Sequence, residues 1–207
     1  MTRCAKITTR LRQVIQALAG WWHLKIFAWT EAGLHRQFVI GPGNKTAVPL
    51  RGDGCGTLRI GRNNHFGFRP AFRLGSGEIL LQARDAKAVI EIGDGNWFNN
   101  NVSLVANERI VVGNGCQIGD LVAIYDCDFH ELDPKNRIRS AGPSAPVVIG
   151  NNVWLGSRVM VLKGVTIGDN SVVGAMSVVT KSIPANCVAA GNPARVIRSL
   201  EDSTPAT

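Results

Sequence analysis

A chain of 207 residues with a formal net charge of +8, 45% hydrophobic residues, 23 Gly and 6% aromatic residues carries enough apolar material to bury one core, which excludes disorder as its main state. Cys4, Cys55, Cys116, Cys127 and Cys187 are odd in number, far apart and form no C-x-x-C, which argues against a disulfide framework or a thiolate zinc site and for a reducing, cytoplasmic home. Gln13, Gln16, His23 and Lys25 interrupt the most apolar stretch, so no membrane-spanning helix is expected.

The basic character is confined to one end. Residues 1–73 hold 12 Lys+Arg against 2 Asp+Glu, a balance of +10, and residues 74–207 hold 11 against 13, a balance of −2. From Thr9 onward Leu11, Val14, Ile15, Leu18, Trp22 and Trp29 recur at helical steps, with Thr8 or Thr9 suited to cap the start. The expectation is an amphipathic helix over residues 9–29, inside a basic N-terminal segment and lead-in that runs to residue 57. Arg10, Arg12 and Lys25 beside Trp21, Trp22, Phe27 and Trp29 suit peripheral contact with the inner face of the cytoplasmic membrane. The same stripe suits a helix that caps the main domain or packs in an oligomer. No nucleic-acid-binding motif accompanies the charge, so nucleic acid is not an expected partner.

A six-residue period dominates the rest of the chain. Ile149, Leu155, Val161, Ile167, Val173 and Val179 fall every six positions, and Gly follows four of them. The same beat runs through Ile60, Phe66 and Phe72, through Ile92, Phe98 and Leu104, and through Val112, Ile118 and Ile124, with register slips between runs. Six is wrong for a helix and too long for one turn. It fits a short strand plus a corner, with Gly93-Asp94-Gly95-Asn96, Gly113-Asn114-Gly115, Gly150-Asn151-Asn152 and Gly168-Asp169-Asn170 supplying residues that accept left-handed backbone. Three such hexads close a coil of about eighteen residues and stacked coils make a parallel β-helix. The predicted architecture is all-β, with about seven coils within residues 58–200, a loop at 131–146 and a tail at 201–207.

Residues 149–198, which include IGNNVWLGS and VVTKSIPANCVAAGNPARVIR, resemble the C-terminal half of hexapeptide-repeat acetyltransferases of the galactoside and maltose acetyltransferase type. The likeness spans roughly residues 90–198 and is strongest in character to enzymes that acetylate sugars of capsule, lipopolysaccharide or exopolysaccharide. It implies a left-handed coil, against the usual right-handed crossover, a homotrimer with sites between subunits, acetyl-CoA as donor and a carbohydrate acceptor.

Acetyl transfer to a hydroxyl requires a base, a donor for the developing oxyanion and a slot for the pantetheine arm. Of four histidines, His130 alone lies where the beat breaks, in YDCDFHELDP, and the resemblance places a catalytic His in a similar His-Glu-Leu setting 24 residues before a Trp that corresponds to Trp154. Asp128 and Glu131 are candidates to orient its ring, a task that a backbone carbonyl also performs. Trp154 precedes the inward Leu155 and so faces outward, into the coenzyme slot or a subunit interface. By resemblance Gly156 and Ser157 lie beside the thioester, Gly174 and Ala175 beside the pantetheine, and Thr180, Lys181, Arg195 and Arg198 at the far end of coenzyme A, where cations suit phosphates. Asn99, Asn100 and Glu108 fall roughly where the family holds acceptor hydroxyls, although the spacing to His130 is about three residues shorter here. Lys135, Arg137 and Arg139 in the loop are available to an anionic acceptor. A covalent route through Cys127 has no sign of the lowered thiol pKa it needs, so direct transfer is expected. N-acetylation of an amino-sugar nucleotide and a non-catalytic β-helix scaffold are the competing readings. A metal site is not expected, because His23 and His35 precede the repeats and His65 lies coils away from His130.

Overall fold

The computed structural model describes residues 3–68, 77–140 and 142–200. Phe72 and the tail at 201–207 lie outside them. An N-terminal helix, α1, spans Arg3–Ala32 and is followed by a left-handed parallel β-helix of three sheets. The first sheet stacks Gln37–Ile40, Thr57–Ile60, Val89–Ile92, Arg109–Val112, Val147–Ile149 and Thr166–Ile167. The second stacks Lys45–Thr46, His65–Phe66, Trp97–Phe98, Gln117–Ile118, Trp154–Leu155, Val172–Val173 and Cys187–Gly191 in parallel, and Ala194–Ser199 closes it antiparallel. The third stacks Leu50–Gly54, Ile79–Ala83, Ser103–Ala106, Ala123–Tyr125, Met160–Val161 and Val178–Val179.

The period of six becomes three inward columns. Ile60, Ile92, Val112, Ile149 and Ile167 pair in register on the first sheet. Phe66, Phe98, Ile118, Leu155, Val173 and Ala189 do so on the second, and Leu81, Leu104, Ile124, Val161 and Val179 on the third. All belong to one continuous core. The register slips are coils of unequal length: Ile149 to Ile167 is 18 positions, whereas Ile92 to Val112 is 20. The extra residues sit in the corner between Ala106 and Arg109.

Each of the four corner strings contains one residue in left-handed backbone: Gly95, Gly115, Asn152 and Asn170, with φ of 68°, 66°, 53° and 61°. Their neighbours serve a second purpose. Asn114 Oδ1 accepts from Asp94 N–H, Asn151 Oδ1 from Asn114 N–H and Asp169 Oδ1 from Asn151 N–H, so the corners are stitched coil to coil. Those bonds from Asn151 hold the Asp169 carboxyl below the ordinary carboxylate range. Asn96 turns inward instead. Fully buried, its Nδ2 donates to Asn64 Oδ1 and Gly113 O at 3.0 and 2.9 Å, and its Oδ1 accepts from Cys116 N–H at 2.7 Å.

Two sequence expectations are corrected. The coils begin at Gln37, twenty positions ahead of Thr57 to which it pairs, so the lead-in to residue 57 contains a complete coil, and the strands of the described residues make six coils and the start of a seventh. Also, α1 begins at Arg3, so Thr8 and Thr9 lie within it and not at its start. The helix closes the open end of the coil stack. Phe27 is buried, and a Cβ on Gly20 would lie 2.1 Å from Thr46 O, so only Gly permits that approach. Glu31 Oε2 meets His35 Nε2 at 2.8 Å in the interior, in the space a side chain at Gly52 would need.

Asn96→Ala would strand the Gly113 carbonyl and the Cys116 amide, and should lower the unfolding free energy by about 2–4 kcal/mol, against less than about 1 kcal/mol for the exposed Asn114→Ala. Urea denaturation of both variants checks this; equal losses would deny the inward ladder its role.

Candidate functional site

The chain leaves the third sheet at Tyr125 and returns to the first only at Val147. The excursion between them is held at several points. Buried Asp126 accepts the N–H groups of Asn107, Glu108 and Arg109 at 2.7, 2.8 and 2.7 Å, gluing the excursion to the preceding corner. Burial pushes its carboxyl above the ordinary value, against those donors, which hold it down. Cys127 bridges to Ser144, and burial pushes its thiol up, the wrong direction for a nucleophilic thiolate. Lys163, from the corner of the next coil, grips Asp128 through both oxygens at 2.5 and 2.6 Å.

Phe129 is forced into left-handed backbone at φ 65°, a strained conformation for a bulky residue. Its ring packs edge-on to Tyr125, with centroids 5.3 Å apart, beneath the Arg84 guanidinium at 5.4 Å. The strained step delivers His130 to the surface. Its Nδ1 lies 3.0 Å from the Arg137 carbonyl. A carbonyl oxygen only accepts, so Nδ1 carries a proton, and in the neutral ring Nε2 is the basic nitrogen. Gly142 comes close enough to the His130 carbonyl that a Cβ there would sit 2.3 Å from it. Of the three candidates to orient the ring, the backbone carbonyl is the one in place. Asp128 is engaged by Lys163, and Glu131 accepts from Ser140 Oγ at 3.1 Å.

A second group of residues lies on the outer face of the second sheet. Trp154 is 54% exposed and sits in register with Gln117, Trp97 and His65. The His65 and Trp97 rings stack with centroids 3.9 Å apart and planes within 1°. Burial, then Lys45, lowers the His65 pKa, which favours a neutral stacking partner. Trp97, Trp154, Phe68, Asn99 and Gln117 line a cleft of about 170 Å³. Asn99 therefore reaches a cavity, whereas Asn100 does not: it is 1% exposed, its Oδ1 accepts from Phe68 N–H and its Nδ2 donates to Phe68 O. Glu108 is exposed at the other corner, beside the His130 excursion, where Ser144 Oγ donates to it. Asn99 and Glu108 are thus on different edges of the prism.

Between the second and third sheets, small residues form a column in which Gly119 abuts Ser157, and Gly156 abuts Ala175 and Gly174. The Gly156 N–H is committed to Val173 O at 2.8 Å. The Ser157 N–H makes no bond among the described residues, and it alone of the two is free to meet a developing oxyanion. Gly174 faces Ala190, which pairs with Arg195 on the closing hairpin. Arg195, Arg198, Thr180 and Lys181 are all exposed at this end of the stack, an arrangement that suits an extended polyphosphate-bearing ligand. Among the described residues no three His, Cys, Asp or Glu side chains are placed to share a metal ion.

Lys163 is a site residue that sequence reasoning misses. It occupies an ordinary corner, and nothing in VLKGV marks a partner 35 positions earlier.

Residues 146–181 match the family described as bacterial transferase hexapeptide (six repeats). The chain is 41% identical over 185 residues, 87% of its length and 86% of the relative's, to a putative acetyltransferase of Saccharomyces cerevisiae. It is 44% identical over 113 residues, 55% of each chain, to the galactoside O-acetyltransferase of Escherichia coli. A hexapeptide-repeat acetyltransferase from Vibrio cholerae, solved with acetyl coenzyme A, superposes with a TM-score of 0.55 at 27% identity, over 92% of this chain and 89% of that one.

Nitrogen NMR of ¹⁵N-histidine protein should find neutral His130 as the Nδ1–H tautomer; an Nε2–H tautomer would contradict the Arg137 contact. Lys163→Met and Asp128→Asn, compared singly and together, should show a coupling of about 1–2 kcal/mol in stability, as suits a partly buried pair. Additive losses would mean the pair does not act as a unit.

Proposed function

The chain belongs to the hexapeptide-repeat acetyltransferases, acyltransferases that take acetyl-CoA as donor, and we propose that it acetylates a sugar hydroxyl with His130 as general base. The observation that carries the proposal is the Nδ1–H bond from His130 to the Arg137 carbonyl, which reserves Nε2 for the acceptor. His130 Nε2 takes the hydroxyl proton as the acceptor oxygen attacks the thioester carbonyl. Because Ser157 lies on the edge between the second and third sheets and His130 on the edge between the third and first, the N–H that donates to the oxyanion is the Ser157 N–H of a neighbouring subunit. Collapse breaks the carbon–sulfur bond, and the imidazolium returns its proton to the departing thiolate. Cys127, with a raised thiol pKa, takes no part.

We assign the donor's pantetheine to Trp154, Gly156, Gly174 and Ala175, and its phosphates to Thr180, Lys181, Arg195 and Arg198. The acceptor is a carbohydrate of capsule, lipopolysaccharide or exopolysaccharide, bound on the Trp97, Phe68 and Asn99 cleft, where apolar ring faces lie beside amide groups. The name of the Escherichia coli relative supports a sugar. The working unit is a homotrimer with sites between subunits. The second sheet presents His65, Trp97 and Trp154 outward and the later coils of the third present Ala123, Met160 and Val178, with Arg51 and Asp53 at its first coil, whereas the first carries the Arg59–Glu91–Arg109 surface ion pairs at 2.5 and 2.6 Å. Two faces are therefore suited to subunit contact and one to water. The basic N-terminal end makes peripheral contact with the cytoplasmic membrane face, where such acceptors are assembled; among the described residues no helix is long and apolar enough to cross a membrane.

His130→Ala should reduce turnover at least about a hundredfold and leave coenzyme A affinity within about twofold, measured by thiol release and by calorimetry with a panel of sugars and amino-sugar nucleotides. Near-normal turnover would reject the base assignment, and product formed only on amines would replace O-acetylation with N-acetylation.

A further inference from the structure

The helix α1 has two apolar faces, and the coil stack uses only one. Gly20, Leu24, Phe27 and Glu31 follow one another at helical steps and pack toward the first coil. At about 100° per residue, Val14, Leu18, Trp21, Trp22, Ile26 and Trp29 fall within an arc of about 140° whose centre lies nearly opposite. Every one of these six is more than half exposed, from 53% for Trp21 to 83% for Trp29. Trp21, at one edge of the arc, also lines two cavities against the first coil; an end cap has no use for the other five.

Two features identify the occupant. Lys25 lies within the arc with its Nζ over the Trp21 ring, 5.5 Å from the centroid, so a cation sits beside an aromatic ring on the apolar face, the pairing that suits a membrane interface. The first 73 residues carry a balance of +10, which repels a second copy of the same face and attracts an anionic surface. Three of the five tryptophans of the chain, Trp21, Trp22 and Trp29, sit on this arc, the residue type that favours the headgroup level.

We infer that α1 is a two-faced adaptor, whose inner face seals the β-helix while its outer face, Val14 to Trp29, lies in the surface of an anionic phospholipid membrane. This specifies the membrane contact of the proposed function and rests on that reading only for the identity of the acceptor. It brings the start of the coil stack to the bilayer and leaves the closing hairpin at Ala194–Ser199, with its arginines, at the opposite end, accessible to a soluble donor.

The test uses the full chain with vesicles of phosphatidylcholine containing about one-third phosphatidylglycerol. Co-sedimentation and a blue shift of tryptophan emission are expected, weaker on pure phosphatidylcholine. A Trp22→Asp/Trp29→Asp variant should bind at least about tenfold less, with unchanged circular dichroism, oligomeric mass and acetyl transfer to a soluble sugar. Undiminished binding by the variant, or no binding by the wild type, overturns the inference. A variant that drops to a smaller oligomer also overturns it, by assigning the face to a contact between copies. Because vesicle binding involves no acetyl transfer, an inactive protein that still binds vesicles would fail the enzymatic reading alone.

Discussion

Each coil is a template for the next. Parallel strands about 4.8 Å apart place the same position of successive coils directly above one another, so a residue is chosen less by its sequence neighbours than by what lies one coil away. An inward aliphatic meets another, as from Leu81 through Val179, and a corner asparagine or aspartate receives the amide of its counterpart, as from Asp94 to Asp169. Because these contacts repeat, the stack tolerates any insertion that leaves a corner and re-enters in register. The excursion between Tyr125 and Val147 is such an insertion: Ile110 pairs with Val147 as though nothing intervened. Chemistry can therefore be placed at a corner without cost to the core.

That freedom carries a penalty, since an exposed excursion orders itself poorly. Here it is tied down by contacts to three separate coils. Asp126 binds the corner before it, Lys163 reaches back from the corner after it, and Phe129 packs under Arg84. The left-handed backbone at Phe129 is strain that these ties sustain. The ring of His130 is then oriented by a main-chain carbonyl within the same loop, so the order of the loop and the tautomer of the histidine are one property.

Legibility in the sequence obeys the same logic. The inward columns are readable because burial imposes aliphatics, and His130 is readable because it interrupts the beat. The first coil is hidden because its inward positions include Thr46 and Gly52, and Gly52 is small for the sake of Glu31, a residue on a different element. Asn96 reads as a corner residue, since nothing in Gly95-Asn96 tells a turn from an inward amide ladder. Asn100 matches a family position by residue type, yet it holds the backbone of Phe68. A backbone carbonyl is a foreseeable partner for His130, but which one is beyond reach because a carbonyl leaves no sequence signature, and the Lys163–Asp128 pair beside it spans a loop whose path sets its geometry.

A stack of coils has two ends, and each exposes the edges of three sheets unless covered. The C-terminal end is closed with its own chain, the hairpin in which Ala194–Ser199 turns antiparallel onto Cys187–Gly191. The N-terminal end is closed by α1, a different kind of solution. A hairpin extends the sheet and presents the same alternating faces, whereas a helix laid across the end offers a second side with no counterpart in the coils. Gly20 against the Thr46 carbonyl, Phe27 in the core and Glu31 against Gly52 hold the helix to the first coil at three successive points along one face, which fixes its rotation about its own axis. Fixing that rotation decides which residues face away. The orientation of the tryptophan arc is therefore set by the face that packs on the first coil, and the cap and the outward face are consequences of a single packing arrangement.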